Sequence, residues 1–113
     1  MHELGITQNV LDIALEHAKN FNANKIVKIN LVVGEMTGVV DECVRFYFDF
    51  ISKDTIASEA TVSFQNVPAK AHCHHCDATF ALNGLDYRCP SCQGGDIEVI
   101  AGRELYVESI EVD

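Results

Sequence analysis

The chain has 113 residues and carries 8 Lys and Arg against 17 Asp and Glu, a formal net charge of −9 at pH 7. This length corresponds to one compact domain, or to one domain with a small module attached. With 48% hydrophobic and 22% charged residues, the composition is that of a globular protein and excludes a disordered chain. The acidic excess argues against nucleic acid or an anionic membrane as the main partner and favours a cationic ligand.

The amino-terminal region is not typical of a secretory signal, because it has no basic segment and acidic residues interrupt its apolar stretch. No apolar run approaches the roughly 20 residues that a membrane-spanning helix needs. We therefore expect a cytoplasmic protein.

The second residue is a histidine, and three nitrogens can surround one metal ion there: the Met1 amine, the His2 backbone nitrogen and the His2 imidazole. A fourth donor can come from Glu3, through its backbone nitrogen or its carboxylate. A planar, nitrogen-rich donor set suits Ni(II) or Cu(II) and suits Zn²⁺ poorly. The pattern alone is a weak signal, because many chain ends without any function also carry a histidine.

Residues 4–21 are predicted to form a helix, since apolar residues recur there at spacings of three and four. The asparagines around Phe21 predict its end, because asparagine tolerates the left-handed backbone conformation. Residues 25–34 are predicted to form a half-buried strand that ends at Gly34. The strand's expected buried face consists of Val27, Ile29, Leu31 and Val33.

A second helix is predicted from Asp41, as its N-cap, through Ile51. The lone cysteine in this helix, Cys43, is expected to be a small buried hydrophobic residue. Its aromatic cluster is expected to supply the core of the domain rather than a ligand pocket. The cluster consists of Phe46, Tyr47, Phe48 and Phe50.

The other four cysteines form two Cys-x-x-Cys pairs, which present four thiolates for a tetrahedral Zn²⁺ ion. The pairs are Cys73 with Cys76 and Cys89 with Cys92. Gly94 and Gly95 are expected to supply the positive φ of a tight metal-binding loop. Two alternatives stay open: disulfides, which the lack of a secretory signal disfavours, and a rubredoxin-like iron site of nearly the same spacing. A zinc ion closed by four cysteines has no position for water, so its expected role is structural.

Two further features accompany the cysteines. The segment between the pairs alternates around Asn83-Gly84, which predicts a hairpin. Three histidines surround the first pair and fit either a solvated loop or a transient metal contact. They are His72, His74 and His75.

The cysteine module lies directly between two predicted strands, residues 60–67, which Pro68 ends, and residues 104–112. This order predicts an α+β fold. Two helices on a three-stranded sheet form one domain (1–69 plus 103–113), into which a zinc-ribbon domain (70–102) is inserted. A last strand reached through an inserted module can exchange between chains, so a monomer and a swapped dimer both fit.

Three features of the chain occur together: the opening Met1-His2-Glu3-Leu4, the strand end Val32-Val33-Gly34, and Cys73-x2-Cys76…Cys89-Pro90-x-Cys92 before Glu104-Leu105. By this combination the chain resembles the HypA family, the nickel metallochaperones of nickel–iron hydrogenase maturation. The resemblance covers the whole chain and implies a small α/β nickel-binding domain with an attached zinc ribbon.

The resemblance also implies the ligands and the partners. By it, nickel is bound by Met1, His2 and Glu3. Structural zinc is held by Cys73, Cys76, Cys89 and Cys92. The implied partners are the GTPase HypB and the hydrogenase large-subunit precursor, which receives the Ni(II), and some family members also serve urease.

Other classes of function make different demands on the sequence. A zinc-ribbon module that binds a protein partner without transporting metal needs the cysteines but not His2. A nucleic-acid-binding ribbon is disfavoured, because only Lys70, Arg88 and Arg103 lie near the cysteines. An enzyme is disfavoured too, since no nucleophile is paired with a base and a zinc closed by four thiolates activates no water.

Overall fold

The computed structural model describes residues 3–82 and 87–113, which contain two α-helices and six strands. In chain order the elements are α1 (Glu3–Asn20), β1 (Ile26–Gly34), a short 3-10 helix (Glu35–Thr37), α2 (Asp41–Ile51), β2 (Thr61–Val67), β3 (Lys70–Cys73), β4 (Thr79–Ala81), β5 (Ile97–Ala101) and β6 (Leu105–Val112). The Asn83-Gly84 turn of the predicted hairpin lies outside the described residues. Within the described ranges, neither helix has the length and apolar character to cross a membrane.

The strands form two three-stranded sheets. In the first, β1 is central, parallel to β2 and antiparallel to β6. The connection between β1 and β2 contains α2, as a crossover between parallel neighbours requires. In the second sheet, β3 is central and antiparallel to β4 and β5. The predicted α+β class is confirmed, with two helices on a three-stranded sheet and a second, cysteine-bearing sheet ahead of the last strand.

The main core lies between the two helices and the first sheet. Ile29, Leu31 and Val33 alternate along β1 and are at most 2% exposed. The prediction that Val27 continues this row was wrong, because Val27 is 45% exposed and Ile26 is buried instead. The pairing of β1 with β6 shifts register between Ile26 and Lys28, and this bulge reverses the alternation of side chains.

The end of α1 follows the sequence prediction. Asn22 has φ 52°, in the left-handed region. Its backbone N–H donates to the Lys19 carbonyl at 3.1 Å, and the N–H of Ala23 donates to the Ala18 carbonyl at 3.0 Å. This pair of bonds is the Schellman motif, which satisfies carbonyls that the helix end leaves free.

The start of α2 differs from the prediction. Val40, not Asp41, is the N-cap residue, and no side chain caps the helix. The Asp41 carboxylate instead accepts a hydrogen bond from Nδ2 of Asn66 at 3.2 Å, so it ties α2 to β2.

Cys43, expected to be buried, is exposed. The expectation failed because Cys43 does not share the face on which Val44 and Phe48 enter the core.

The aromatic cluster of α2 was predicted as core, and this was wrong for two of its four members. Phe48 is 1% exposed, but Phe46 and Phe50 are 71% and 67% exposed. Each residue advances an α-helix by about 100°, so positions 46 and 50 lie about 200° from Val44 and Phe48. One aromatic residue therefore enters the core while two face outwards.

The two sheets meet where the end of β1 crosses the segment that leads back to β6. The N–H of Gly34 donates to the Glu104 carbonyl at 2.6 Å, and the N–H of Met36 donates to the Gly102 carbonyl at 2.7 Å. A Cβ atom on Gly34 would overlap the carbonyl group of Gly102. Gly102, with φ 112°, in turn lies against Ala69, whose Cα would be 2.7 Å from an added Cβ. Glycine is required at both positions because two backbone segments are in direct contact.

Replacing Gly34 with alanine is therefore expected to destabilise the fold by about 1–3 kcal/mol, the usual cost of forcing extra atoms into a packed site. The measurement is the free energy of unfolding in urea. Gly95→Ala is the matched control, because a Cβ there meets no atom within 4 Å. Equal stability of the two variants would contradict the assignment of a rigid junction.

Candidate metal centres

The four paired cysteines form a single cluster in the structure. Their sulfur atoms all lie within 4.8 Å of one another. The Sγ atoms of Cys73 and Cys92 are 3.6 Å apart, and those of Cys76 and Cys89 are 3.5 Å apart. Cys73 and Cys89, the first member of each pair, are completely buried. The second sheet and the loops at its end thus bring together the predicted zinc ligands.

The two cysteine turns have the same backbone conformation. In each turn the first cysteine accepts a hydrogen bond from the N–H four residues later and donates one to the carbonyl five residues later. The bonds are Asp77 N–H to Cys73 O (2.9 Å), Cys73 N–H to Ala78 O (2.8 Å), Gln93 N–H to Cys89 O (2.7 Å) and Cys89 N–H to Gly94 O (3.0 Å). The two turns thus present their cysteines through the same pattern of backbone hydrogen bonds.

The same position in each turn adopts positive φ, 61° at Asp77 and 58° at Gln93. The expectation that Gly94 and Gly95 supply this conformation was therefore wrong. Gly94 has another role, because its N–H donates to Sγ of Cys92 at 3.4 Å. Asp77 and Gln93 both stand four residues after the first cysteine of a pair, and this spacing is the signal that could have identified them.

The electrostatics of the cluster favour a bound cation. The pKa of Cys89 is lowered to about 6, because the Cys92 N–H, with help from the Ser91 N–H, stabilises the thiolate against the cost of burial. At Cys76 the Ala78 N–H acts in the same direction, but the hydrogen bond with Cys89 and burial outweigh it, so the pKa is raised to about 12. Without a cation, the four neighbouring thiols thus do not all ionise together. A metal ion bound between them would displace their protons.

The spacing of the sulfurs fits tetrahedral coordination. Zn–S bonds of about 2.3 Å place two ligands of a tetrahedron about 3.8 Å apart. The 3.5 and 3.6 Å separations lie close to this value. A disulfide would require about 2.05 Å, and all five cysteines are free in the structure, so the geometry favours metal coordination over the disulfide alternative. The site would hold Zn²⁺ as a structural ion that cross-links the two turns.

The three histidines around the first cysteine pair lie beside the cluster and not in it. Nε2 of His72 is 3.4 Å from the Asp77 carboxylate, and Nε2 of His74 is 3.7 Å from the Glu98 carboxylate. The rings of His72 and His74 meet edge to face with centroids 5.5 Å apart. His75 is exposed. In the part of the chain that the structure describes, carboxylates are thus the polar partners of the first two imidazoles.

The amino-terminal motif is described from its third residue. Met1 and His2 lie outside the described residues. Glu3 begins α1, and its carbonyl accepts a hydrogen bond from Oγ1 of the buried Thr7 at 2.6 Å. The first N–H groups of a helix have no partner within that helix. The backbone nitrogen of Glu3 is therefore not committed to the hydrogen bonds of α1.

A groove of about 670 Å³ opens between the start of α1 and the outward face of α2. We call this surface the aromatic groove. Its lining consists of Leu4, Gly5, Gln8, Phe46, Tyr47, Phe50 and Ile51. Sequence reasoning missed it because the aromatic residues were assigned to the core together. Their angular positions around α2 would have separated Phe46 and Phe50 from Phe48.

The fold and the sulfur cluster define a class of protein, a small α+β metal-binding protein with a zinc-ribbon-like module. A family model described as "Hydrogenase/urease nickel incorporation, metallochaperone, hypA" matches residues 1–112, and the chain belongs to this family. The resemblance noted in the sequence is thereby confirmed. Members of the family are nickel metallochaperones for hydrogenase maturation, so the chain is a maturation factor and not an enzyme.

Curated relatives match over nearly their whole length. The hydrogenase maturation factor HypA of Dehalococcoides mccartyi is 46% identical over 113 residues, which span 100% of this chain and 95% of the relative. The factor of the same name from Caldanaerobacter subterraneus subsp. tengcongensis is 38% identical over 114 residues, with 100% of both chains covered.

Solved structures support the fold. The solution structure of the Ni metallochaperone HypA from Helicobacter pylori matches with a TM-score of 0.68 and 24% identity, covering 99% of this chain and 97% of the other. A second solution structure of a HypA protein matches with a TM-score of 0.73 and 24% identity, covering 99% and 96%. At this level of identity the likeness concerns the arrangement of helices and sheets.

Proposed function

We propose that this chain binds Ni(II) through Met1, His2 and Glu3 and delivers it to the hydrogenase large-subunit precursor, with HypB as its GTPase partner. Four cysteines hold a structural zinc ion in the same proposal: Cys73, Cys76, Cys89 and Cys92. The observation that carries the proposal is the family match from residue 1 to residue 112, which includes both the terminal motif and the cysteine pairs.

The position of Glu3 supports a nickel site at the terminus. With a free Met1 amine, the amine, the His2 amide nitrogen and the His2 imidazole close two adjacent chelate rings. The Glu3 nitrogen, which α1 does not use, can complete a planar set of four nitrogens, and the Glu3 carboxylate is the other candidate. Ni(II) favours this geometry, and Zn²⁺ does not.

The sulfur cluster supports a separate, permanent zinc site. The first cysteine of each turn is buried, and four sulfurs around one ion leave no position for an incoming donor, so exchange requires the turns to open. The terminal ligands are consecutive residues at a chain end and can be released one at a time to an acceptor. This contrast assigns transport to the terminus and scaffolding to the cysteines. It also supports the division into a nickel domain (1–69 plus 103–113) and a zinc-ribbon domain (70–102).

The test is a nickel titration of protein with an authentic Met1 beside protein extended by two residues before Met1. We expect the first to form a yellow, diamagnetic Ni(II) complex and the second to lose it, because the extension converts the amine into an amide. Both forms are expected to be colourless as purified and to contain one zinc per chain. Equal nickel binding by the extended chain would place the site elsewhere, and a red iron-containing protein would contradict zinc.

A further inference from the structure

The aromatic groove is a wide apolar surface on the described part of the chain. Phe46 and Phe50 are 71% and 67% exposed, and Leu4 on the facing helix is 49% exposed. Among its lining residues, Gln8 and the hydroxyl of Tyr47 are the polar groups. Burying exposed aromatic side chains is strongly favourable, and they anchor many protein–protein contacts. The stability of the monomer does not explain a surface of this kind.

Gly5 deepens the groove, although neither the packing nor the backbone conformation of α1 requires a glycine there. Glycine in a helix is less favourable than alanine by about 1 kcal/mol. Gly5 lies in the first turns of α1, and a Cβ added there would meet no atom within 4 Å. Neither crowding nor a positive φ requires glycine at this position, in contrast to Gly34 and Gly102. The effect of its missing side chain is to keep the groove open.

The lining residues of the groove determine which backbone conformation a bound segment can have. A segment that enters an apolar groove loses water from its N–H and C=O groups, which then need other partners. The groove is walled by two helices, its lining residues offer only two polar side chains, Gln8 and Tyr47, and none of them belongs to a strand. A bound segment must therefore satisfy its own backbone, as an α-helix does, with an apolar face turned into the groove.

The charges around the groove determine which charge the bound helix should carry beside its apolar face. Asp12 lies one turn beyond the groove and accepts a hydrogen bond from Gln8 at 2.9 Å. Asp49 borders an adjoining hollow with Phe46, Phe50 and Lys53, and the Lys53 ammonium lies 5.5 Å from the centre of the Phe50 ring. The exposed Glu42 stands one turn before Phe46. The cations on and just after α2 are Lys53 and Arg45, whose guanidinium carbon lies 4.7 Å from the centre of the Phe64 ring. With three carboxylates nearby and a net charge of −9, the acidic excess complements a cationic partner.

We propose that the aromatic groove docks an amphipathic helix of a partner protein, with large apolar side chains on one face and Lys or Arg beside it. The groove begins at Leu4, directly after the proposed nickel ligands. A helix bound there lies next to the terminus. In that respect the inference rests on the proposed function, because it gives nickel transfer its docking surface.

The test uses a synthetic amphipathic helix of leucine and lysine as the probe, with a leucine–glutamate peptide of the same pattern as its counterpart. We expect the basic peptide to bind saturably, with an affinity that falls at high salt, and the acidic peptide to bind at least about tenfold more weakly. Three single variants are each expected to weaken binding of the basic peptide at least about tenfold. They are Phe46→Asp, Phe50→Asp and Gly5→Leu, the last of which fills the groove.

Phe21→Asp is the matched control, because Phe21 is 76% exposed and lies at the opposite end of α1. It is expected to bind the basic peptide like the unaltered chain. Equal losses in the Phe21 and Phe46 variants, or equal binding of the two peptides, would overturn the proposal. A dimer that Phe46→Asp dissociates in sedimentation would also overturn it, since a second copy would then be the occupant. Nickel binding is expected to be the same in the groove variants and in the unaltered chain. If the unaltered chain did not bind nickel, that result would count against the terminal site and not against the groove.

Discussion

Replacing His2 with alanine is expected to lower the affinity for Ni(II) by about 100-fold or more and to remove the yellow, diamagnetic complex. The imidazole closes the second chelate ring, and without it the terminal amine and one amide nitrogen remain. Loss of a group that only orients a metal ligand costs about 10–100-fold in affinity, so loss of a ligand itself costs at least as much. The measurement is a titration followed by absorbance and calorimetry on protein that begins at Met1.

The controls for this prediction are histidines elsewhere in the chain. His17, exposed on α1, and His75, exposed in the first cysteine turn, can each be replaced by alanine without touching the terminus. Both variants are expected to bind nickel like the unaltered chain. His2→Ala is expected to keep its zinc and its helix content, because Glu3 and the rest of α1 are unchanged. Undiminished nickel binding by His2→Ala would place the nickel site elsewhere. Absence of nickel binding in the unaltered chain would favour the alternative of a zinc-ribbon interaction module without metal transfer.

The periodic and spaced features of the sequence predicted most of the fold. Alternation of apolar residues located β1 and β6 to within a residue or two, and spacings of three and four located both helices. The cysteine pairs predicted the sulfur cluster, because a Cys-x-x-Cys turn brings two sulfurs together whatever surrounds it. Asn22 predicted the end of α1 because its left-handed conformation is a local preference. All of these signals act over a few neighbouring residues.

The incorrect predictions concern properties that depend on distant residues. Val27 turns outwards because β1 and β6 pair with a bulge, and this register is set between segments about 80 positions apart. The exposure of Phe46 and Phe50 depends on which face of α2 meets α1 and the sheet. The positive φ of Asp77 and Gln93 follows from the closing of each turn by backbone hydrogen bonds. Aspartate adopts this conformation more often than most residues, but glutamine does not, so residue type alone does not predict both positions.

Replacing Cys89 with serine, or removing the metal with a chelator, is expected to unfold the second sheet. Among the described residues, the buried core of this sheet consists of Ala69, Ala71 and Leu82. So small a core cannot offset the entropy of ordering its strands. Structural zinc contributes about 10–16 kcal/mol of binding free energy in zinc-finger peptides, and this binding energy is folding energy. The measurement is the dispersion of amide resonances from β3 and β5 with zinc content determined in parallel.

Cys43→Ser is the matched control for this substitution, because Cys43 is a free, exposed cysteine outside the cluster. It is expected to keep one zinc per chain and the resonances of both sheets. In Cys89→Ser the core between α1, α2 and β1 is expected to remain folded, since its buried residues belong to the first sheet and the helices. The loss of structure in the second sheet is expected to extend to β6 through the Gly34–Gly102 junction, where the segment that leads to β6 contacts β1. Native dispersion of β3 and β5 in metal-free Cys89→Ser would show that the sulfur cluster does not hold this module together.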